Sequence, residues 1–192
     1  LQPERVQNGL DLADVLATAG HSEAALAVYD ELREAAPSLL APYLQSAGLL
    51  FERGAPDAAA TCLHQAEAAL DPDIDTRCDL AAAWAGIGAY ERAAAGYEAV
   101  LAQAPANARA EAGLGSAYQS LGQFEASTRH FERALDLDDR LGWVYAALMT
   151  NRRYVLSDTR RAAMQRAMAD PKLDDIARSH MHFALGQHFD AH

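Results

Sequence analysis

The stretch LAAAWAGIGAYERAAAGYEAVLAQAP, residues 80–105, decides the fold of this 192-residue chain. It reads as one helix, a stop, and a second helix that ends at proline. Leu80, Ala81 and Trp84 recur at helical spacing, and Gly88 supplies the positive φ that lets a helix end abruptly and the chain fold back. Ala93 is small enough for two helix backbones to approach, and Tyr97, one turn later, fills the gap beside it. Pro105 then ends the second helix, because proline lacks an amide and disfavours helix in the residue before it.

The same landmarks recur along the chain. Gly20, Gly54, Gly88 and Gly122 stand 34 residues apart, which is the period of a helix-turn-helix solenoid. Leu16, Leu50, Trp84 and Tyr118 precede them by four residues; Ala25, Ala59, Ala93 and Ser127 follow by five, and Tyr29, Leu63, Tyr97 and Phe131 by nine. Pro37 and Pro105 close two units, and Asp71 and Asp139 close the others.

These residues resemble tetratricopeptide repeats. Leu114, Gly115, Tyr118, Gly122, Phe124, Phe131 and Ala134 cover most of that family's signature within one repeat, and Leu80, Ala81, Trp84, Gly88, Tyr90, Ala93, Tyr97 and Pro105 do nearly as well. The resemblance implies an all-α, right-handed superhelical solenoid of antiparallel helix pairs. Its repeats fall at 6–39, 40–73, 74–107 and 108–141, with an irregular repeat at 142–178 and a partial repeat or capping helix at 179–192. Ser46 and Pro56 depart from the pattern in the early units.

Beyond residue 141 the register is disturbed. Leu156 stands where the next glycine belongs and Arg161 where the small residue belongs. Residues 142–154 still read as a first helix and 159–169 as a second, capped by Ser157 or Asp158 and stopped before Pro171. Ala184, Leu185, Gly186 and Phe189 read as another first helix displaced by three residues, which predicts a small insertion between 156 and 178. His192 falls where that helix should turn, and Leu1 is not an initiator methionine, so the reading expects a longer parent polypeptide. Arg152, Arg153, Tyr154, Asp158, residues 167–171 and then Ala177, Arg178, His180, His182, Phe183, Ala184, Leu185 and Gly186 resemble the end of the helical array in bacterial proteins that join tetratricopeptide repeats to a sulfotransferase domain. That resemblance implies a catalytic domain downstream and carries no catalytic residue into this segment.

Composition fits such a scaffold. No run of about 18 apolar residues is present, so no membrane span is expected, and no signal peptide is visible at Leu1, with removal by processing as the alternative. Cys62 and Cys78 are the only cysteines, which excludes a disulfide framework and points to a reducing, cytoplasmic compartment. Fifteen of the 16 basic residues are arginine, as expected of a GC-rich bacterial genome. The net charge is −11, which disfavours nucleic acid. Between 140 and 178 the sign reverses: Arg140, Arg152, Arg153, Arg160, Arg161, Arg166, Lys172 and Arg178 outnumber Asp158, Asp170, Asp174 and Asp175. Solvated helix faces account for most such clusters, and an acidic partner or neighbouring domain is the alternative.

In the family, ligands lie on the concave face made by the first helix of each unit. The resemblance carries that face onto Leu44, Phe51, Cys78, Arg109, Ser116, Gln119, Trp143, Thr150, Arg153 and Tyr154. Small residues such as Ala82, Ala85, Gly86, Ala112 and Gly113 keep its middle shallow, so the expected ligand is an extended peptide or an inserted protein helix; the alternative is that about half of the groove residues, Trp143 especially, serve only as packing between units. The lysine, asparagine and arginine set with which one subtype grips a terminal carboxylate is replaced here by Leu10, Asp14, Gln45, Arg109 and Gly113, so chaperone C-termini are not expected. No cofactor, metal or catalytic centre is expected in this segment. His188 and His192 share a helical face without further ligands, Gly113 and Gly115 imitate a dinucleotide fingerprint without a preceding strand, and Cys78 lacks a partner histidine nearby in sequence. The functional expectation is a noncatalytic protein-binding scaffold; the alternatives are the accessory arm of a sulfotransferase, or a module that self-associates through its last helix into a homodimer.

Overall fold

A computed structural model describes the backbone of residues 3–151 and 154–190 and the side chains of 4–151 and 154–187. Eleven helices occur among the described residues: α1 (Pro3–Thr18), α2 (Ser22–Ala35), α3 (Leu40–Glu52), α4 (Pro56–Ala69), α5 (Ile74–Gly86), α6 (Tyr90–Gln103), α7 (Ala108–Ser120), α8 (Phe124–Leu137), α9 (Gly142–Thr150), α10 (Asp158–Ala169) and α11 (Asp175–Asp190). The fold is all-α, an antiparallel solenoid in which odd-numbered first helices alternate with even-numbered second helices.

The 34-residue step is kept by the helices themselves. Second helices begin at Ser22, Pro56, Tyr90, Phe124 and Asp158, and first helices at Leu40, Ile74, Ala108 and Gly142. The cause lies at the turns. Gly20, Gly54, Gly88 and Gly122 have φ between 74° and 81°, and they are the only positive-φ residues among those described. At each, the glycine amide bonds three residues back, and the next amide bonds five residues back, to the carbonyl of Leu16, Leu50, Trp84 or Tyr118 at 2.8–2.9 Å. This paired arrangement closes a helix on a left-handed residue and satisfies carbonyls that would otherwise be orphaned. First helices also start on side-chain caps: Asp73 accepts from the Thr76 amide and Asn107 from the Ala110 amide.

The chain divides into two compact units, Leu1–Gly96 and Tyr97–His192. In the first, α1 packs on α2 and α3 on α4, around Ala13, Ala25, Tyr29 and Leu32 and around Tyr43, Ala66 and Leu80. In the second, α7 packs on α8 and one cluster runs from Ala112, Phe131 and Leu135 through Tyr145, Leu148 and Met164 to Met181 and Ala184. The small places Ala25, Ala59 and Ala93 are fully buried, and Ser127 nearly so.

The later repeats depart from the sequence expectation in an informative way. α9 stops at Thr150 rather than 154. Leu156, in the glycine place, is only 4% exposed and belongs to the core cluster with Phe131, Leu148 and Met164. Ser157 is the residue that caps α10, accepting from the Arg160 amide. α11 begins at Asp175, one residue ahead of the period, so no insertion delays its start, although five residues separate it from α10 where four separate the earlier second helices from the first helices that follow. The displacement lies instead in the side chains, since Met181 and Ala184 are the buried ones. Near its start α11 meets α9 so closely that a Cβ on Gly142 would lie 2.2 Å from the Ala177 carbonyl oxygen.

Candidate functional site

Each unit presents its own first-helix face. In the first unit, Leu44 on α3 is half-buried against the Tyr43, Ala66 and Leu80 cluster. Phe51, one turn before Gly54, is exposed. Cys78 on α5 is fully buried, so its thiol is sealed from the surface.

In the second unit, Arg109 is exposed, and Ser116 and Gln119 are half-buried. The Gln119 amide donates to the Ala147 carbonyl at 3.1 Å and to Thr150 Oγ1 at 2.7 Å, while Thr150 Oγ1 donates to Ala147 O at 2.7 Å. Two of the expected ligand-binding residues are thus joined across α7 and α9. Trp143 stands on α9 with its ring edge-on to Phe131, centroids 5.9 Å apart, and remains 39% exposed. Ala112, expected to help keep the groove shallow, is buried. Arg153 lies outside the described residues, as do Arg152 and the side chains of His188 and His192.

Tyr154 does a job that the sequence reading missed. Its hydroxyl donates to Glu132 Oε1 on α8 at 2.9 Å, and Tyr118 in the same way donates to Glu98 Oε1 at 2.6 Å. Glu98 and Glu132 are one period apart, and that repetition was the signal available in the sequence. In the first unit, Trp84 Nε1 donates to Glu67 Oε1 at 2.9 Å, with the Arg92 guanidinium 4.7 Å above the indole. An aromatic near the end of a first helix is therefore tied to a carboxylate on the preceding second helix. Burial, then the Glu132 hydrogen bond, push the Tyr154 hydroxyl pKa well above its ordinary value. The Glu98 bond is the first cause of the upward shift at Tyr118.

A second unexpected group is Glu111, 1% exposed within α7. Its carboxylate meets His130 Nδ1 at 2.7 Å and Arg133 Nε at 3.2 Å, both on α8, which compensates a charge that would be costly to bury alone. Gly113 and Gly115 also find their purpose, since a Cβ at either would lie within 2.6 Å of the Tyr97 or Phe131 ring. Much of the basic run is internally occupied. Arg160 pairs with Asp136 and Arg161 with Asp158, Arg140 reaches Lys172 O, and Arg178 donates to the carbonyls of Met168, Asp170 and Leu173 at the end of α10. Among the described residues of this run, Arg140, Arg160 and Arg178 are thus spent on contacts that hold α10 and the start of α11.

Beside the end of α9 lies a cleft of about 770 Å³, bounded by Phe124, Thr128, Arg129, Thr150, Tyr154 and Val155 among others. Among the described residues, no group of three or more His, Cys, Asp or Glu side chains could hold a metal ion, and no helix is long and apolar enough to cross a membrane.

Helix pairs on a 34-residue step, each first helix closed by a positive-φ glycine, define a fold of the tetratricopeptide-repeat type. Solved structures share it. A MamA fragment described as 41-end, from Desulfovibrio magneticus RS-1, is similar over 99% of this chain and 98% of its own, with 20% identity and a TM-score of 0.59. TTC0263, a thermophilic TPR protein in Thermus thermophilus, is similar over 94% and 98%, with 21% identity and a TM-score of 0.57. At these identities the likeness is one of fold. No protein-family model matches the chain, and no curated relative matches it.

Proposed function

We propose that the chain is a noncatalytic scaffold that binds a peptide or protein segment on the exposed faces of its first helices. The observation that carries this reading is Trp143, a large aromatic left 39% exposed on a base fixed by Phe131. Rigid, partly exposed aromatics are the anchors on which binding energy concentrates. Elsewhere on the first helices of the same unit, Ser116 is half-buried and Arg109 exposed, while Gln119 and Thr150, already bonded to each other, offer preorganised polar groups. Phe51 offers a corresponding anchor in the first unit. The test is to pan a displayed library of random peptides against chain 1–192 and its Trp143→Ala variant. The expected result is enriched peptides whose affinity falls about tenfold or more in the variant. Absence of any enriched sequence, or enrichment indifferent to every first-helix substitution, would overturn the reading.

Self-association has an observation of its own, because Ile176 and Phe183 on α11 are 72% and 55% exposed. Under that reading, Phe183→Asp converts a dimer seen by light scattering into a monomer. The reading as an accessory arm of a sulfotransferase rests on the resemblance over residues 152–186, and sequencing the gene beyond His192 tests it directly.

A further inference from the structure

The first helices α3, α5 and α7 end at Glu52, Gly86 and Ser120, one period apart, whereas α9 ends at Thr150, four residues before the next step. The missing turn has a consequence on α8. In the first unit, the residue just past α3 is Arg53, whose Nη2 reaches Glu23 Oε1 on the first turn of α2 at 3.3 Å, and the hollow there is about 440 Å³. Three periods later Glu125 keeps the carboxylate, but Val155 stands in the place of Arg53 and Phe124 in the place of Ser22. These three places border the cleft of about 770 Å³, which extends along Thr128, Arg129, Thr150 and Tyr154. Val155 is 62% exposed and Phe124 47% exposed. Arg129 is a further addition on the rim, in the place of Ala27, and neither it nor Glu125 is in an ion pair among the described residues.

The molecule therefore displays both the gap and a template for what closes it: the end of a helix that brings a cation to the carboxylate. We infer that the cleft at the end of α9 receives one turn of an amphipathic helix from a partner protein. That turn sets a bulky apolar side chain between Phe124 and Val155, a cation toward Glu125 and a carboxylate toward Arg129. Three properties of the site select this occupant. Its volume is that of a pocket able to engulf a substantial apolar group, its walls include the aromatic and aliphatic side chains of Phe124, Tyr154 and Val155, and its two opposite charges, in no ion pair among the described residues, lie one turn apart on α8, matching the spacing of an oppositely charged pair on a facing helix. Thr150 is tied to Gln119 and Tyr154 to Glu132, so two of the walls are fixed before a ligand arrives.

The inference rests on the reading of the chain as a binder of protein segments, and it places a contact beyond the first-helix faces. The experiment uses chain 1–192 against a displayed library of alanine-rich helical peptides with one face randomised. Binders selected by the wild type are then measured against Phe124→Asp, Trp143→Ala and the double exchange Glu125→Arg with Arg129→Glu. The expected result is a loss of tenfold or more for Phe124→Asp and for the double exchange, with recovery when the peptide's own acid and base are exchanged. Phe124 is a surface residue, and unchanged circular dichroism confirms that its variant folds. Binders that lose affinity to Trp143→Ala and ignore the other two overturn the cleft and leave the scaffold reading standing. No binder at all overturns both. A wild-type dimer that Phe124→Asp dissociates, seen by sedimentation, overturns the partner helix in favour of a second copy of this chain.

Discussion

Two neighbouring parts of the second unit, α7–α8 and α9–α11, start their helices on the same period and finish them differently. α7 runs its full length to Gly122, whose positive φ turns the chain straight into α8. α9 has no such glycine. Leu156, in its place, is drawn into the core, the helix gives up its last turn, and Ser157 restarts the chain on frame. The start of a helix here is fixed by the core beneath it, with a side-chain cap added at α7 and α10, and the end by whether a residue can enter the left-handed region. One missing glycine therefore alters exposure rather than topology, and the altered exposure is the cleft over Phe124.

Removing the base that the two parts share has the largest expected effect. Phe131 lies beneath both Trp143 and the Gly115 seat, and Phe131→Ala is expected to cost about 4 kcal/mol in urea unfolding, the range for a buried aromatic. Loss confined to α7–α8, with hydrogen exchange in α9 unchanged, would contradict a single core beneath both parts. Next, Gly142→Ala forces a Cβ into the Ala177 backbone and should cost about 3 kcal/mol, the upper part of the overpacking range. Gly186→Ala, with open space around its Cβ position, should be neutral or stabilising by about 0.5 kcal/mol. Equal effects at the two glycines would show that the close contact of α9 and α11 does not hold that end together. Smaller still, Tyr118→Phe and Tyr154→Phe should each cost about 1 kcal/mol. The Tyr154 contribution carries a pH signature. Its folded pKa is raised above the ordinary 10, so the contribution is complete at neutral pH and fades as pH climbs past 10, where the unfolded phenol ionises first. Alkaline titrations of wild type and Tyr154→Phe that run parallel would remove the carboxylate tie from the account.

The repeat was legible because glycine, alanine and aromatic residues each answer a steric demand that recurs every 34 residues. Helix starts, the four turns and the buried small places follow from that demand alone. The shortened α9 was not legible, since nothing local in 142–154 weakens the helix; the pull comes from the core site waiting for Leu156. Among the expected binding residues, Trp143 and Gln119 are found on an accessible face, whereas Cys78 is sealed. A cysteine at a groove position has the same sequence signature whether it faces outward or packs inward. The ties to Glu98 and Glu132 escaped because attention to apolar landmarks hides a repeated carboxylate. The basic run, read from the sequence mainly as solvated helix faces, shows the converse: Arg160 and Arg178 are engaged by a nearby acid and by helix-end carbonyls once the chain is folded.

The direct contact between Gly142 and Ala177 gives the segment between them an unusual standing. With α9 and α11 clasped to each other, α10 and its connections are bracketed by two helices that are already fastened, and closing that segment again costs little entropy. A single nick at the exposed Val155 would then leave both fragments held together, much as a cut link leaves a chain intact when its neighbours are riveted side by side.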